Sequence, residues 1–351
     1  MRVKPQRVQH ILVVRTDRMG DVILTLPTVA VLRKCLPEAR VVMLLREYTR
    51  GLAEGQEGVA EVLVFDEDGR PKPFWAVLKE LRRLRFDAAV IAYPRFRIAL
   101  LLWLAGIPVR VGTGYRWYSL LFNRRVYEHR KSAEKSEAAY NLSLLRPLGC
   151  DVEAIPRPRI LPNATDRAEA ERRRHLLGIA QSDRLVLLHP GSGGSARTWS
   201  PSNFAMLGAA LAAHGFSPVV TGGAMEKCLV DRVVAEARGA VRPLVGGMTL
   251  TQFAAFIETA EVFVANSTGP LHLAAAVGTP VVGLYPPVRV MSSVRWGPLT
   301  DRRVVFVPDP ARCSRCRGGR CRGNDCMDQI SVESVERAVV DLAGGEAERR
   351  T

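Results

Sequence analysis

The chain has 351 residues, 47% of them apolar, with 50 Lys+Arg against 35 Asp+Glu and a formal charge of +15. That length points to roughly two domains of about 150 residues each, and the apolar fraction is ample for two buried sheets. The longest apolar stretch, residues 98–109, falls short of the about 20 residues that cross a bilayer, which excludes a transmembrane helix.

Charge is unevenly spread. Residues 1–160 hold 28 Lys+Arg against 17 Asp+Glu, and residues 161–351 hold 22 against 18. A basic half attracts nucleic acid, anionic lipid or a phosphorylated substrate. Arginine outnumbers lysine, which favours bidentate contact with phosphate or carboxylate. High-GC codon usage would explain the arginine preference but not the asymmetry.

In chain order, Met1 to His10 is basic and polar and does not read as a signal peptide, so a cytoplasmic protein is expected. A strand at 11–14 leads through the loop Arg15-Thr16-Asp17-Arg18-Met19-Gly20-Asp21 into a helix at 22–36. Strands follow at 41–45, 62–65 and 88–91, with helices between them. The arginines Arg95, Arg97 and Arg110 flank the 98–109 stretch. It reads either as a buried helix or as a helix resting on a membrane surface. Pro156, Pro158 and Pro162, interleaved with Arg157 and Arg159, mark a linker.

A second series starts with a strand at 185–188 and the turn His189-Pro190-Gly191-Ser192-Gly193-Gly194. A helix at 203–214 and a strand at 217–221 come next, and Gly222-Gly223 follows them. Then come strands at 262–265 and 281–284. Between these last two lies the most informative stretch, Asn266-Ser267-Thr268-Gly269-Pro270. Pro270 suits the first turn of a helix, where its missing N–H costs nothing. The turn therefore offers backbone N–H groups and the positive end of a helix dipole to a phosphate or diphosphate. His272 lies within the first turn and can reach the same anion. Strand–helix alternation of this kind gives parallel sheets with helices on both faces, and ligands bind at the carboxyl ends of the strands. The fold expected is α/β, with two Rossmann-like domains facing across a cleft.

Four of the seven cysteines cluster as Cys313, Cys316, Cys321 and Cys326. Four thiolates at this spacing suit a structural Zn site. Structural cysteines, reduced or disulfide-linked, are the other reading, and the interleaved arginines 315, 317, 320 and 322 would suit RNA. Cys35, Cys150 and Cys228 sit among apolar neighbours and read as buried core residues.

Three motifs together resemble glycosyltransferase family 9, the ADP-heptose:lipopolysaccharide heptosyltransferases with the GT-B fold. They are the loop 15–21, His189-Pro190-Gly191-Ser192 followed by Trp199, and the turn from Asn266 to His272. The likeness runs from about residue 10 to residue 340 and includes Ala105-Gly106-Ile107-Pro108 and Arg295-Trp296-Gly297-Pro298. It implies an inverting transfer that needs no metal or other cofactor for catalysis. Domains of 1–160 for the acceptor and 161–330 for the donor follow, with the helix in 331–351 crossing back to the first.

The resemblance makes Asp21 the catalytic base, with Arg18 and Gly20 on the acceptor side. An N-cap aspartate is the plain alternative for Asp21, and Asp17 is a second carboxylate in the same loop. On the donor side it implies Ser192, Gly193, Arg197, Glu226, Ser267, Thr268, Gly269 and His272. Arg197 stands where the family has a lysine, and Glu226 matches the acidic position that meets the nucleoside, although a solvated helix-start glutamate would look the same. Ser267 stands where many heptosyltransferases carry aspartate, so the donor sugar is left open.

The partners expected are a nucleotide-sugar donor, a lipid-linked phosphorylated glycan acceptor and the inner face of the cytoplasmic membrane. Two rival readings are the same fold acting on a UDP- or GDP-sugar, and a non-catalytic basic RNA- or lipid-binding protein.

Overall fold

The computed structural model describes residues 8–309 and 326–345. The chain divides into two units, Met1–Ile160 and Leu161–Thr351. The first is built on β1 (His10–Val14), β2 (Arg40–Leu45), β3 (Glu61–Val64), β4 (Ala88–Ile91), β5 (Val109–Thr113) and β6 (Arg124–Val126). Its helices are α1 (Met19–Ile23), α2 (Leu26–Cys35), α3 (Phe74–Leu84), α4 (Phe96–Leu104) and α5 (Glu137–Ser143). The strands lie in the order β3-β2-β1-β4-β5-β6, and every neighbouring pair is parallel.

The second unit repeats the plan with β7 (Arg184–His189), β8 (Phe216–Gly222), β9 (Arg242–Val245), β10 (Val262–Asn266), β11 (Val281–Leu284) and β12 (Arg303–Phe306). Its order, β9-β8-β7-β10-β11-β12, is again wholly parallel. The helices are α6 (Ala164–Leu176), α7 (Pro201–Ala213), α8 (Lys227–Glu236), α9 (Leu250–Glu258), α10 (Gly269–Val277), α11 (Ser293–Trp296) and α12 (Val332–Gly344). Each sheet therefore has the doubly wound order with its switch point beside the first strand, where a crevice opens at the carboxyl ends.

The central strands are buried on both faces, which is why β1, β4, β7 and β10 read as unbroken apolar runs. In the first unit Leu12, Val14, Val42 and Leu44 pack against Val77 and Leu81 of α3 and Ile98, Leu101 and Leu102 of α4. In the second, Val186, Leu188, Val220 and Val264 pack with Phe204, Leu211 and Trp199.

Three expectations are corrected. The helix at 22–36 is two helices, because Pro27 inside a continuous helix would lack its N–H and strike the carbonyl one turn back. In the first turn of α2 an N–H would have no helical acceptor in any case, and the ring has no preceding turn to strike. The C-terminal helix α12 buries Val335, Ala338, Val339 and Ala343 in the core of the second unit. Cys35, at the end of α2, is disulfide-bonded to Cys150, with Cα atoms 5.7 Å apart. Cys228, on α8, is exposed. Among the described residues no helix is long and apolar enough to cross a membrane.

Candidate active site

The loop after β1 closes on Arg15, whose side chain is buried. Its Nε donates to Asp17 Oδ1 at 2.7 Å, and Nη2 donates to Asp21 Oδ1. Nη1 donates to Glu137 Oε1 at 3.2 Å and to Asn141 Oδ1 at 3.1 Å, both on α5. Asn141 in turn donates to the carbonyl of Leu24 and to Thr25 Oγ1, each at 3.1 Å, which fixes the break between α1 and α2. Asp21 is not the N-cap of α1. Arg18 occupies that position without a side-chain cap bond, while Gly20 is buried in the helix. Asp21 sits in the first turn with its carboxylate partly open to solvent.

One buried cation thus faces the carboxylates of Asp17, Asp21 and Glu137. Burial alone would lower the Arg15 pKa, but the three anions outweigh it and hold the guanidinium charged. Asp17 is pushed up to about 7, first by burial and then by the neighbouring carboxylates, against the pull of Arg15. An acid whose pKa is higher folded than unfolded stabilises the fold while protonated. For Asp17 that contribution is complete below its ordinary 3.8 and is lost as pH rises toward about 7. The Asp17→Asn variant is therefore expected to lose this slope: melting temperatures measured from pH 4 to 7 should fall for the wild type relative to the variant. Parallel curves would mean that Asp17 is ionised throughout.

Beside this cluster a cavity of about 330 Å³ is lined by Thr16, Arg46, Asp66, Tyr93, Arg95 and Arg97, among others. Arg46 Nε donates to Asp66 Oδ2 at 2.7 Å. The bonds of Arg95 and Arg97 go to neutral acceptors, the hydroxyl of Tyr93 and the carbonyl of Lys72. Arg97 also lies 5.7 Å from the ring centres of Phe65 and Phe74, and its Nε is buried without a hydrogen-bond partner among the described residues. Three arginines against one carboxylate make this cavity fit an anionic group.

In the second unit the loops after β7, β8 and β10 converge at the switch point. Asn266, buried at the end of β10, accepts from the backbone N–H of Trp199 at 2.9 Å and donates to the carbonyl of Pro190 at 2.8 Å. Ser195 Oγ donates to the Ser267 carbonyl at 3.3 Å, and Ser192 Oγ to the carbonyl of Ala196 at 3.0 Å. The Ser267 N–H is used by the sheet, donating to Leu284. Those of Thr268 and Gly269, at the start of α10, have no acceptor inside the helix. His272 is buried one turn on, where burial lowers its pKa to about 4, so its ring is neutral near pH 7. Its Nδ1 makes no hydrogen bond among the described residues.

Glu226 plays the helix-start part and a second one. Oε2 accepts from the N–H of Gly223 at 3.0 Å, and Oε1 from that of Gly193 at 3.3 Å, so its carboxylate joins the β7 and β8 loops. A Cβ at Gly191 would run into the Glu226 carboxylate, so any larger residue there has to push that carboxylate from its place. His189 backs this carboxylate from 3.8 Å while sharing a 2.9 Å hydrogen bond with Thr221. Arg197 Nη1 donates to the buried Cys326 Sγ at 3.8 Å. Cys313, Cys316 and Cys321, the other members of the proposed Zn set, lie outside the described residues.

The structure thus gathers Ser192, Gly193, Glu226, Ser267, Thr268, Gly269 and His272 on adjoining loops of one unit, with Arg197 in the segment that ends at Trp199. Sequence reasoning missed Arg15, Glu137 and Asn141, the cavity arginines, and Asn266 as the tie between loops. Asn266 had a usable signal, a polar residue closing an otherwise apolar central strand.

The chain is similar to known glycosyltransferases over most of its length. The profile of glycosyltransferase family 9 (heptosyltransferase) matches residues 74–326. A Haemophilus influenzae protein assigned only at the level of glycosyltransferase is 30% identical over 318 residues, covering 88% of this chain and 91% of its own. Lipopolysaccharide heptosyltransferase 3 of Escherichia coli is 26% identical over 297 residues, covering 82% and 85%. Among solved structures, the E. coli ADP-heptose lipopolysaccharide heptosyltransferase II superposes with a TM-score of 0.79 at 21% identity, over 97% of this chain and 100% of that one. The fold is GT-B, and the chain belongs to glycosyltransferase family 9, the heptosyltransferase family of lipopolysaccharide core synthesis.

Proposed function

We propose that this enzyme moves heptose from ADP-heptose to a lipid-linked, phosphorylated lipopolysaccharide core acceptor, with inversion and with Asp21 as the base. The observation that carries the donor half is the start of α10. Two backbone N–H groups without helical acceptors stand at the positive end of a helix, in a turn pinned by Asn266. A diphosphate docked there keeps its developing negative charge as the bond to the sugar breaks. The acceptor oxygen attacks the anomeric carbon from the opposite face, and its proton passes to the Asp21 carboxylate. Such a transfer draws its stabilisation from fixed dipoles and Arg197 and needs no metal in this reading. The cavity lined by Arg46, Arg95 and Arg97 would take an anionic group of the acceptor.

The nature of the donor sugar comes from likeness to the E. coli enzyme. Ser267 favours a second reading, another nucleotide sugar, since it brings a hydroxyl where a carboxylate is common in the family.

Both readings are tested on the same protein. ADP should raise the melting temperature more than UDP or GDP, and Arg197→Ala should weaken nucleotide binding by about 1.5–3 kcal/mol, the size of a charge-assisted hydrogen bond. Arg197→Lys should recover part of the loss. Unchanged affinity in the alanine variant would move the diphosphate away from Arg197, and a preference for UDP or GDP would select the second reading.

A further inference from the structure

The connection from β7 to α7, residues 190–200, carries Ser192, Gly193 and Arg197 and contains neither helix nor strand. Its first part is held by Asn266, at the carbonyl of Pro190, and by Glu226, at the N–H of Gly193. Its last part is held from elsewhere, by the segment Cys326 to Ile330 just before α12. Asp328 Oδ1 accepts from the backbone N–H of Ser200 and from the side-chain amide of Asn203, each at 3.0 Å. The Ile330 carbonyl accepts from Trp199 Nε1 at 3.0 Å, and Cys326 Sγ accepts from Arg197 Nη1 at 3.8 Å.

The holding segment is itself firmly seated. Cys326, Met327 and Ile330 are buried in the same core as Trp199, and Val335 and Val339 of α12 follow them into it. Asp328 is exposed between these anchors. Its carboxylate is not needed to cap α7, because Ser200 Oγ already accepts from the Asn203 N–H at 3.3 Å and Pro201 has no N–H to satisfy. What the two Asp328 bonds do is fasten the residue before α7, three positions on from Arg197, to a segment fixed in the core. A binding side chain on an irregular segment keeps its place only where such supporting bonds hold the backbone.

We propose that Asp328 is a positioning residue for nucleotide-sugar binding. Through the Ser200 N–H and the Asn203 amide it fixes the end of the β7–α7 connection, and so sets where Arg197 meets the donor phosphates. The inference deepens the donor reading above and rests on it. Its sign is opposite to the one that charge alone gives. An aspartate close to an anion site repels the anion, so losing the carboxylate would by charge tighten nucleotide binding. Losing a positioning bond instead frees the segment that carries Arg197, and each binding event must then order it again.

Calorimetric titration of the full chain with ADP, or with UDP or GDP where the wild type prefers it, tests this. Asp328→Ala should weaken nucleotide binding about tenfold, within the range for residues joined in one hydrogen-bond network. Asp328→Asn keeps an oxygen where Oδ1 accepts both bonds, and should stay within about twofold of wild type. In an Arg197→Ala background, Asp328→Ala should change affinity by less than about twofold, since the side chain it positions is gone. A general loosening of the unit would weaken both backgrounds alike. Asp328→Ala protein that binds the nucleotide as tightly as wild type, or more tightly, overturns the proposal. So does an equal loss in both backgrounds, or an asparagine variant as weak as the alanine one. If Asp328→Ala melts well below wild type, Asn203→Ala is read in its place. It removes one of the two bonds and should lose about two- to threefold, and no loss overturns the proposal. Failure of the donor reading looks different. If Arg197→Ala alone leaves nucleotide affinity unchanged, that reading falls and takes this inference with it. If Arg197→Ala weakens binding and Asp328→Ala does not, the donor reading stands and only this inference falls.

Discussion

Replacing Asp21 by asparagine should give a folded protein that still binds donor nucleotide but turns over about 10²–10⁴ times more slowly, the range for a positioned acid–base group. The structure sharpens the comparison. Asp21 is one of three carboxylates around Arg15 and makes no cap bond, so a purely structural Asp21 would act through charge balance. Asparagine retains an oxygen for Arg15 Nη2 and removes only the charge and the proton-accepting capacity. A structural role would then appear as a shifted melting temperature with turnover near normal, and a base as the reverse. Asp17→Asn is the natural companion variant. If Asp17→Asn is the nearly inactive one and Asp21→Asn turns over normally, the base is Asp17.

The second large effect belongs to Arg15. Arg15→Ala leaves Glu137, Asp17 and Asp21 facing one another without their shared buried cation. Breaking a buried ion pair by removing one partner costs about 3–5 kcal/mol. Arg15→Lys keeps the charge but cannot serve four side chains at once, and should fall between wild type and alanine. Urea unfolding of the three proteins measures this directly. A loss below about 1 kcal/mol, the scale of a surface pair, would show that Arg130, which also donates to Glu137, or protonation of Asp17 takes up the imbalance.

The central strands were legible because burial on both faces leaves a plain apolar signature, as in β1 and β10. The outer strands were not. β6 carries two arginines in three residues, and β9 carries Arg242 and Pro243, since an edge strand need not be apolar on both sides. The donor loops could be read because small residues before a helix are a local pattern. Arg15 could not, since Glu137 and Asn141 stand 122 and 126 residues further on. For the same reason the cavity, which collects side chains from four separate loops, left no trace in any one segment. In the 98–109 stretch α4 buries Ile98, Ala99, Leu101 and Leu102 and leaves Trp103 exposed. Composition reported its apolar content, and only the fold assigns which residues face inward.

Asn266 has a consequence for rates. Its amide ties the 190 loop, the backbone at Trp199 and the start of α10 into one piece, with neither end of the amide left over for solvent. The β7–α7 connection and the turn before α10, which would otherwise wander independently, have already surrendered their conformational entropy when the chain folds. A ligand arriving at that turn has no ordering to impose, so association should run near the speed of encounter, and affinity should be governed by how slowly the ligand leaves.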